Sequence, residues 1–214
     1  MTLPDPYIIG LAGAAGAGKD TVADWLCDHH GFERAAFADS LKEMLEALLT
    51  GLGIDYAYLY ERGLKEQPIP GLNVSARHLM QTLGTEWGRN QLGSGFWLKT
   101  MELRLGLSTI PTTPVHDRIV ITDVRFPDEA QWIRAFGGVI VRVQRDGAQA
   151  IPLAHHSSEL QHIRADRVLL NDRSLEDLHE RVDHLAAALL PAKPQPSHGG
   201  PDEDAERSNS EATP

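Results

Sequence analysis

A chain of 214 residues with 42% hydrophobic residues is long enough for one α/β domain with a substantial core. Its formal net charge of −10 argues against general affinity for nucleic acid. Residues 77–145, with nine basic and six acidic residues, are the part of the chain suited to binding an anion. The single cysteine, Cys27, excludes an internal disulfide and fits a reducing cytoplasm, and neither a signal peptide nor a membrane span is predicted.

The first predicted elements are a strand and a helix joined by a loop rich in glycine. Residues 7–11 are mostly apolar, as expected for a strand that is buried on both faces. A helix is predicted over Lys19–His30, with Gly31 as its C-cap. A second strand is predicted over 33–38.

A second helix is predicted to begin at a cap formed by Asp39 or Ser40 and to end near Leu49. Its predicted inner stripe consists of Leu41, Met44, Leu45 and Leu48.

The middle of the chain is predicted to be helical with interruptions. Residues 50–73 contain several glycines and prolines, which predict a short helix and then a flexible loop. Helices follow over 75–83 and 87–105, with a break at 93–95. Residues 111–114 predict a turn.

The remaining elements alternate between strands and helices. Strands are predicted over 118–122 and 139–143, on either side of a helix over 128–136, and a short strand over 168–170 precedes a helix over 174–190. This alternation predicts a parallel sheet that is covered by helices on both faces.

The last helix and the C-terminal segment complete the predicted organisation. Ser174 caps the helix, whose predicted inner side consists of Leu175, Leu178, Val182, Leu185 and Leu189. Residues 191–214 have almost nothing to bury, which predicts a disordered, acidic, Pro/Ser-rich tail after a domain over 1–190.

The glycine-rich loop has the spacing of a phosphate-binding loop, with one departure. Gly13 is followed after four residues by Gly18 and Lys19, but Asp20 stands before the hydroxyl of Thr21. Glycines let several backbone N–H groups point inward, and the helix N-terminus adds partial positive charge. Lys19 would supply a full charge for the β- and γ-phosphates, whereas the alternative is a simple turn before a helix.

Asp123 and Arg125 follow a buried strand, at the edge where α/β sheets keep their sites. Asp123 could hold Mg²⁺ directly or through water, or it could only cap the next turn. Arg125 is predicted on the same side as Asp123, where it could bind phosphate or form a structural ion pair. Beside Lys19, the carboxylate of Asp20 could hold a metal-bound water while Thr21 contacts phosphate.

Polar and aromatic residues of the helical segments are candidates for binding a second ligand. Lys42, near the end of the second strand, could contact an acceptor phosphate or remain a solvated helix lysine. Base recognition needs a flat apolar wall with amide or carboxylate edges. The candidates are Arg77, Gln81, Glu86, Trp87, Arg89 and Trp97. For each tryptophan, a place in the core is the alternative.

Arg145 follows the strand over 139–143 and is predicted to reach back to the phosphates of a donor nucleotide. His155 and His156 lie in the polar segment after it. Zinc is not favoured there, because cysteine ligands and a His-x-x-x-His spacing are both lacking. We instead expect a polar loop over the donor.

Five motifs resemble those of the phage-type deoxynucleoside monophosphate kinases. They are Ala15-Gly16-Ala17-Gly18-Lys19-Asp20-Thr21, Phe37-Ala38-Asp39-Ser40-Leu41-Lys42, Leu79-Met80-Gln81-Thr82-Leu83-Gly84-Thr85-Glu86, Ile121-Thr122-Asp123-Val124-Arg125-Phe126-Pro127-Asp128-Glu129-Ala130 and His156-Ser157-Ser158-Glu159. The resemblance runs in order from about Ile8 to Leu190. The loop motif is also similar to those of phosphomevalonate kinase and adenylate kinases, so it does not by itself distinguish these families. The other motifs narrow the choice to the deoxynucleoside monophosphate kinases.

The resemblance implies a three-layer P-loop kinase fold with a mostly parallel sheet, helices on both faces and a helical substrate-binding insertion. It implies ATP as donor, Mg²⁺ as metal, a nucleoside monophosphate as acceptor, and a cytoplasmic protein encoded by a phage or a bacterium. Lys19, Asp123 and Arg125 would be catalytic, and Asp20, Thr21 and Asp123 would hold the metal.

The same resemblance divides the remaining candidates between the two ligands. ATP would contact Gly13, Ala14, Gly16, Ala17, Gly18, Lys19, Asp20 and Thr21, with Asn171 near its base. The acceptor would face Asp39, Lys42, Arg77 and Arg89.

Two other functions fit the same residues. One is a P-loop kinase of another small metabolite, such as phosphomevalonate or dephospho-coenzyme A. A hydroxyl acceptor would require a base, and Asp39 or Asp123 could serve. The other is a protein that binds ATP without consuming it. No nucleic-acid or membrane partner is predicted, and a homodimer is compatible with the sequence.

Overall fold

The computed structural model describes residues 7–107, 116–145 and 162–190. Five strands form one sheet in the order β2-β3-β1-β4-β5, and every neighbouring pair is parallel. The strands are β1 (Tyr7–Ala12), β2 (Glu33–Ala35), β3 (Arg118–Ile121), β4 (Val139–Gln144) and β5 (Arg167–Leu170). Because all strands run the same way, their carboxyl ends meet at one edge of the sheet.

Helices connect these strands and also form a long insertion between β2 and β3. They are α1 (Lys19–His30), α2 (Asp39–Gly51), α3 (Ala57–Tyr60), α4 (Ala76–Gln81), a π-helical segment (Thr82–Arg89), α5 (Phe96–Arg104), α6 (Pro127–Ala135) and α7 (Leu175–Leu189). Of the helices that the structure describes, none has the length and hydrophobicity of a membrane span.

The central strand β1 is buried on both sides, which makes three layers. Its odd-numbered residues Ile9 and Leu11 pack with α1 and α7 on one face. Ile8 belongs to the core on the other face, which includes residues of α5 and α6. The continuous apolar run of this strand is what a parallel sheet with two covered faces requires. The predicted α/β fold with helices on both faces is confirmed.

The insertion between β2 and β3 has a core of its own. Its buried members are Leu41, Leu45, Leu49, Leu59, Ile69, Ala76 and Trp97. The predicted helical insertion is therefore present, and it begins at the carboxyl end of β2.

Several local predictions are confirmed. Helix α1 has the predicted bounds, and Gly31 ends it with φ 67°. Ser174 caps α7 by accepting the backbone N–H of Asp177. The predicted break at 93–95 separates α5 from the preceding π-helical segment.

The stripe predicted for α2 was partly wrong. Leu41 and Leu45 are buried, but the side chains of Met44 and Leu48 are 45% and 48% exposed, and Leu49 is buried instead. The inward residues follow a four-residue spacing, because only one narrow face of α2 meets the insertion core. In α7, Leu175 is likewise exposed while Ala186 is buried.

Other boundaries also differ from the predictions. Strand β2 ends at Ala35, and Asp39 is the first residue of α2 rather than its cap. The Asp39 carboxylate accepts the backbone N–H of Ala36 at 2.7 Å, which bends the chain between strand and helix. Residues 82–89 are π-helical rather than α-helical. The predicted turn at 111–114 and the predicted tail lie outside the described residues.

Candidate functional site

The glycine-rich loop connects β1 to α1 at the carboxyl edge of the sheet. Gly13 lies against β4, and a Cβ there would be 2.3 Å from the carbonyl oxygen of Val143. Gly18 directly precedes α1 with φ 101°, and among the described residues no side chain caps the helix. The first N–H groups of α1 are therefore available to an anion, as in phosphate-binding loops.

Lys19 folds back over this loop. Its Nζ donates to the carbonyl oxygens of Gly13 and Ala14, both at 2.9 Å. Burial and then the positive charge of Arg125 lower the pKa of Lys19, while Asp20 and Asp123 oppose this effect. The structure thus brings the predicted loop lysine together with the two residues that follow β3.

Asp123 joins the end of β3 to the connection between β2 and α2. Its Oδ1 accepts the N–H of Phe37 at 2.8 Å, and its Oδ2 accepts the N–H of Ala38 at 3.0 Å. These two bonds give Asp123 a structural role that the sequence analysis did not predict. Each oxygen keeps a second lone pair, so metal binding by Asp123 stays a prediction.

Two of the predicted metal ligands, Asp20 and Thr21, lie in the first turn of α1. Asp20 is exposed and pairs with Arg34, and Thr21 lies one residue further into α1. Within the described part of the chain, no group of three or more His, Cys, Asp or Glu side chains could hold a metal by itself. A carboxylate and a hydroxyl nonetheless fit Mg²⁺, which takes one or two protein oxygens and completes its shell with phosphate and water.

Positive side chains of the insertion lie near one another and near Arg125. Burial and then the charges of Lys42 and Arg77 lower the pKa of Lys65, and Arg125 contributes in the same direction. We call Lys42, Lys65, Arg77 and Arg125 the cation cluster. Mutual repulsion of this kind is relieved by a bound anion, so the cluster is suited to phosphate.

Lys65 and Arg62 were missed by the sequence analysis. Arg62 lies above the phosphate loop, with its Nη2 3.7 Å from the position of a Cβ on Gly16. Both belong to the segment predicted to be a flexible loop. Two cations three residues apart beside Gly63 were the available signal.

Asp39 and Lys42 both lie in the first turn of α2. Lys42 Nζ is 3.6 Å from Asp39 Oδ1 and 6.0 Å from the ring of Tyr60. Arg77 forms an ion pair with Glu66 and remains near Lys65. Lys42, which lies beside Asp39, and Arg77 are therefore both near Lys65.

The other predicted acceptor residues lie along the insertion helices. The guanidinium of Arg89 packs on the ring of Phe126, 3.7 Å from the ring centroid. Phe126 directly follows Arg125 in the sequence. Gln81 ends α4 and is half-buried, and Glu86 is exposed in the π-helical segment.

The two tryptophans contribute mainly to packing. Trp97 is 5% exposed, and its indole N–H donates to the carbonyl of Gly84 at 2.8 Å. The structure therefore does not bring Trp97 to the site, and the core alternative is correct for this residue. Trp87 is half-buried and meets the ring of Phe96 edge-on at 5.6 Å.

On the donor side, Asn171 joins the end of β5 to the phosphate loop. Its Nδ2 donates to the carbonyl oxygen of Ala17 at 2.9 Å. Arg145 is exposed just after β4. The segment that contains His155 and His156 lies outside the described residues.

The part of the chain after the phosphate loop matches a known protein family. The family model for deoxynucleotide monophosphate kinase matches residues 66–182, more than half of the sequence. The chain belongs to the deoxynucleotide monophosphate kinase family. The matched range begins after the phosphate loop, so the loop is a separate observation, and the resemblance seen in the sequence is confirmed.

Individual relatives cover more of the chain. A protein of Acanthamoeba polyphaga mimivirus is 29% identical over 181 residues, which is 82% of this chain and 93% of the relative. The deoxynucleotide monophosphate kinase of Escherichia phage RB69 is 31% identical over 144 residues, 64% of this chain and 57% of that protein. Among solved structures, a sugar kinase from Janibacter sp. aligns with a TM-score of 0.44 and 13% identity, covering 87% of this chain and 97% of that chain.

Glu129 is a buried acidic residue near the candidate site to which the sequence analysis gave no role. Burial and then the charge of Asp123 raise the pKa of Glu129 to about 8, although the backbone N–H groups of Arg125 and Phe126 and the charge of Arg89 oppose the rise. An acidic residue in the first turn of a helix is common, and only the neighbours of Glu129 in space distinguish it.

Proposed function

We propose that this protein transfers the γ-phosphoryl group of ATP to a deoxynucleoside or ribonucleoside monophosphate, giving ADP and the diphosphate. The observation that carries the proposal is the cation cluster: Lys42, Arg77 and Arg125 lie within electrostatic reach of Lys65, and Arg125 is also within reach of Lys19 in the phosphate loop. A site with positive charge from both the loop and the insertion suits two phosphate groups. Family membership supports the same reaction.

The chemistry of the acceptor explains why cations dominate the site. The second pKa of a phosphate monoester is about 6, so the attacking oxygen is mostly ionised at neutral pH and needs no general base. What remains is to align two anions and to neutralise their charge. Lysine and arginine side chains do both, and Arg125 lies within electrostatic reach of Lys19.

Each ligand has a distinct set of residues in this proposal. The loop N–H groups and Lys19 bind the donor phosphates, with Asn171 bracing the loop from β5. Lys42, Lys65 and Arg77 bind the acceptor phosphate, and Arg89 offers its buried Nη1 to the acceptor. Arg62 covers the loop and shields the donor from water.

Magnesium fits the donor side of the site. The hydroxyl of Thr21 and the carboxylate of Asp20 would hold it, directly or through water, with Asp123 as a further oxygen. When bound, the ion would supply neutralisation of charge on the phosphate oxygens. Asp20 would then exchange its ion pair with Arg34 for the metal.

The direct test is a substrate panel. The purified chain is incubated with ATP, Mg²⁺ and each deoxy- or ribonucleoside monophosphate, and the products are separated by chromatography. We expect ADP and one nucleoside diphosphate in equal amounts. Consumption of no monophosphate would refute the proposal.

A variant pair assigns the turnover to the phosphate loop. Lys19→Ala should abolish transfer and leave the fold intact, because within the described part of the chain Lys19 Nζ donates only to carbonyl oxygens of its own loop. Lys99→Ala is the matched control, since the Lys99 side chain is 63% exposed and pairs with Glu102 on α5. Wild-type turnover by the Lys19 variant would contradict the role given to the loop.

A further inference from the structure

Glu129 is a buried carboxyl group that holds the backbone on which Arg125 stands. Its Oε2 accepts the N–H of Arg125 at 2.7 Å and that of Phe126 at 3.0 Å. The residue is only 4% exposed. Because two adjacent N–H groups converge on one oxygen, the direction in which the chain leaves β3 depends on this side chain.

The other oxygen of the same carboxyl group faces the insertion. Glu129 Oε1 is 3.7 Å from Nη1 of Arg89. The second terminal nitrogen of Arg89, Nη2, donates to Asp128 Oδ2 at 2.6 Å, and the guanidinium plane stacks on Phe126. Arg89 is therefore oriented from three directions by residues 126–129.

One N–H donor of Arg89 is available to a ligand. Its Nη1 is buried and has no hydrogen-bond partner among the residues that the structure describes. A buried guanidinium nitrogen without a partner is costly, so a ligand oxygen that approached it would bind favourably. The neighbours of Arg89 therefore hold its guanidinium in place and leave one N–H donor for a ligand, whereas a purely structural ion pair would use that donor.

We infer that Glu129 is a positioning residue that holds Arg125 through its backbone N–H and Arg89 through its guanidinium. One side chain thus fixes the position of the arginine that binds the acceptor relative to the arginine beside the transferred phosphoryl group. This inference rests on the proposed function. It goes beyond helix capping, because a capping residue needs only the two backbone N–H contacts. The oxygen that faces Arg89 adds a link between the insertion and the end of β3.

Three variants separate the two contacts of Glu129. Glu129→Gln keeps one oxygen for the two N–H groups but turns an amide nitrogen, which accepts no hydrogen bond, toward Arg89. Glu129→Ala removes both contacts. Asp128→Asn is the matched control, since Asp128 also holds Arg89 but does not bind the N–H of Arg125.

Steady-state kinetics with ATP and the preferred monophosphate give distinct expected patterns. Glu129→Gln and Asp128→Asn should each raise the acceptor KM about tenfold with little change in kcat, because each change replaces one of the carboxyl groups that orient the Arg89 guanidinium. Glu129→Ala should in addition lower kcat about 100-fold, because Arg125 is displaced from the transferring group. The KM for ATP should stay within about twofold in all three variants, because the phosphate loop is untouched.

The outcomes distinguish this inference from the proposed function. If the wild-type chain consumes no monophosphate, the proposed function fails, and this inference fails with it. If the wild type is active and the folded variants keep its kcat and acceptor KM, Glu129 is only a helix cap. Should Glu129→Ala not fold, an unchanged acceptor KM in Glu129→Gln would by itself overturn the inference.

Discussion

The backbone contacts of Asp123 lead to a quantitative prediction about stability. Its two carboxylate oxygens accept the N–H groups of Phe37 and Ala38 at 2.8 and 3.0 Å, which join β3 to the start of α2 across 85 residues or more of sequence. Asp123→Asn keeps one acceptor and turns an amide donor toward the other N–H group. We therefore expect the variant to lose one of the two bonds.

The expected magnitude follows from what each bond contributes. A hydrogen bond to a charged group contributes about 1.5–3 kcal/mol, and the half-buried position of Asp123 favours the lower part of this range. Asp123→Asn should therefore lower the free energy of unfolding by about 2 kcal/mol. With a urea m-value of about 2 kcal/mol/M, the unfolding midpoint should fall by about 1 M.

Urea unfolding followed by circular dichroism measures this effect, and the chain offers a matched control. Asp172 pairs with Arg181 at 2.8 Å at the surface, where ion pairs contribute little, so Asp172→Asn should cost less than about 1 kcal/mol. An Asp123→Asn midpoint equal to that of the wild type, or an equal loss in the control, would refute the structural role of Asp123.

Three further predictions concern other parts of the structure. Gly88→Ala places a Cβ 2.4 Å from the indole nitrogen of Trp97 and should lower the free energy of unfolding by about 1–3 kcal/mol in urea, whereas Gly51→Ala, with nothing within 4 Å of its Cβ, should not destabilise. Gly18→Ala forces an L residue to φ 101° and brings its Cβ 2.4 Å from a side-chain nitrogen, so calorimetry should show weaker ATP binding. Since burial raises the pKa of Glu129 to about 8, folding takes up a proton between the unfolded value near 4.5 and pH 8, and stability should fall as pH rises through this window. Glu129→Gln should reduce that slope in unfolding measured at several pH values, and an unchanged slope would show that another group is responsible.

Much of the local structure was predictable from residues adjacent in sequence. The bounds of α1 and the cap at Ser174 were predicted because helix ends depend on side chains and glycines within a few positions. The inner stripe of α2 was only partly predictable. Which of Met44, Leu48 and Leu49 lies inward depends on where the insertion core stands, and that core includes Leu59 and Ile69 from later in the chain.

The candidate site also contains some residues that the sequence could predict and others that it could not. Lys19, Asp123 and Arg125 were predicted because each directly follows a buried strand or its loop, and parallel strands end at one edge. Lys65 and Arg62 were missed because nothing in their own segment indicates that it lies against the phosphate loop. The exclusion of Trp97 from the site also needed its neighbours, since an indole can pack in a core or against a base.

The phosphate loop and the parallel α/β class were contained in the order of the residues, because glycine spacing and hydrophobic periodicity act over short distances along the chain, and the family followed from the resemblance of five motifs. The convergence of Lys42, Lys65, Arg77 and Arg125, and the two-sided contact of Glu129, appeared only in three dimensions. These groups come from the insertion and from the strand that follows it, and their distances are set by how the insertion packs against the sheet edge. Electrostatic interactions and burial depend on those distances, which no local pattern of amino acids records.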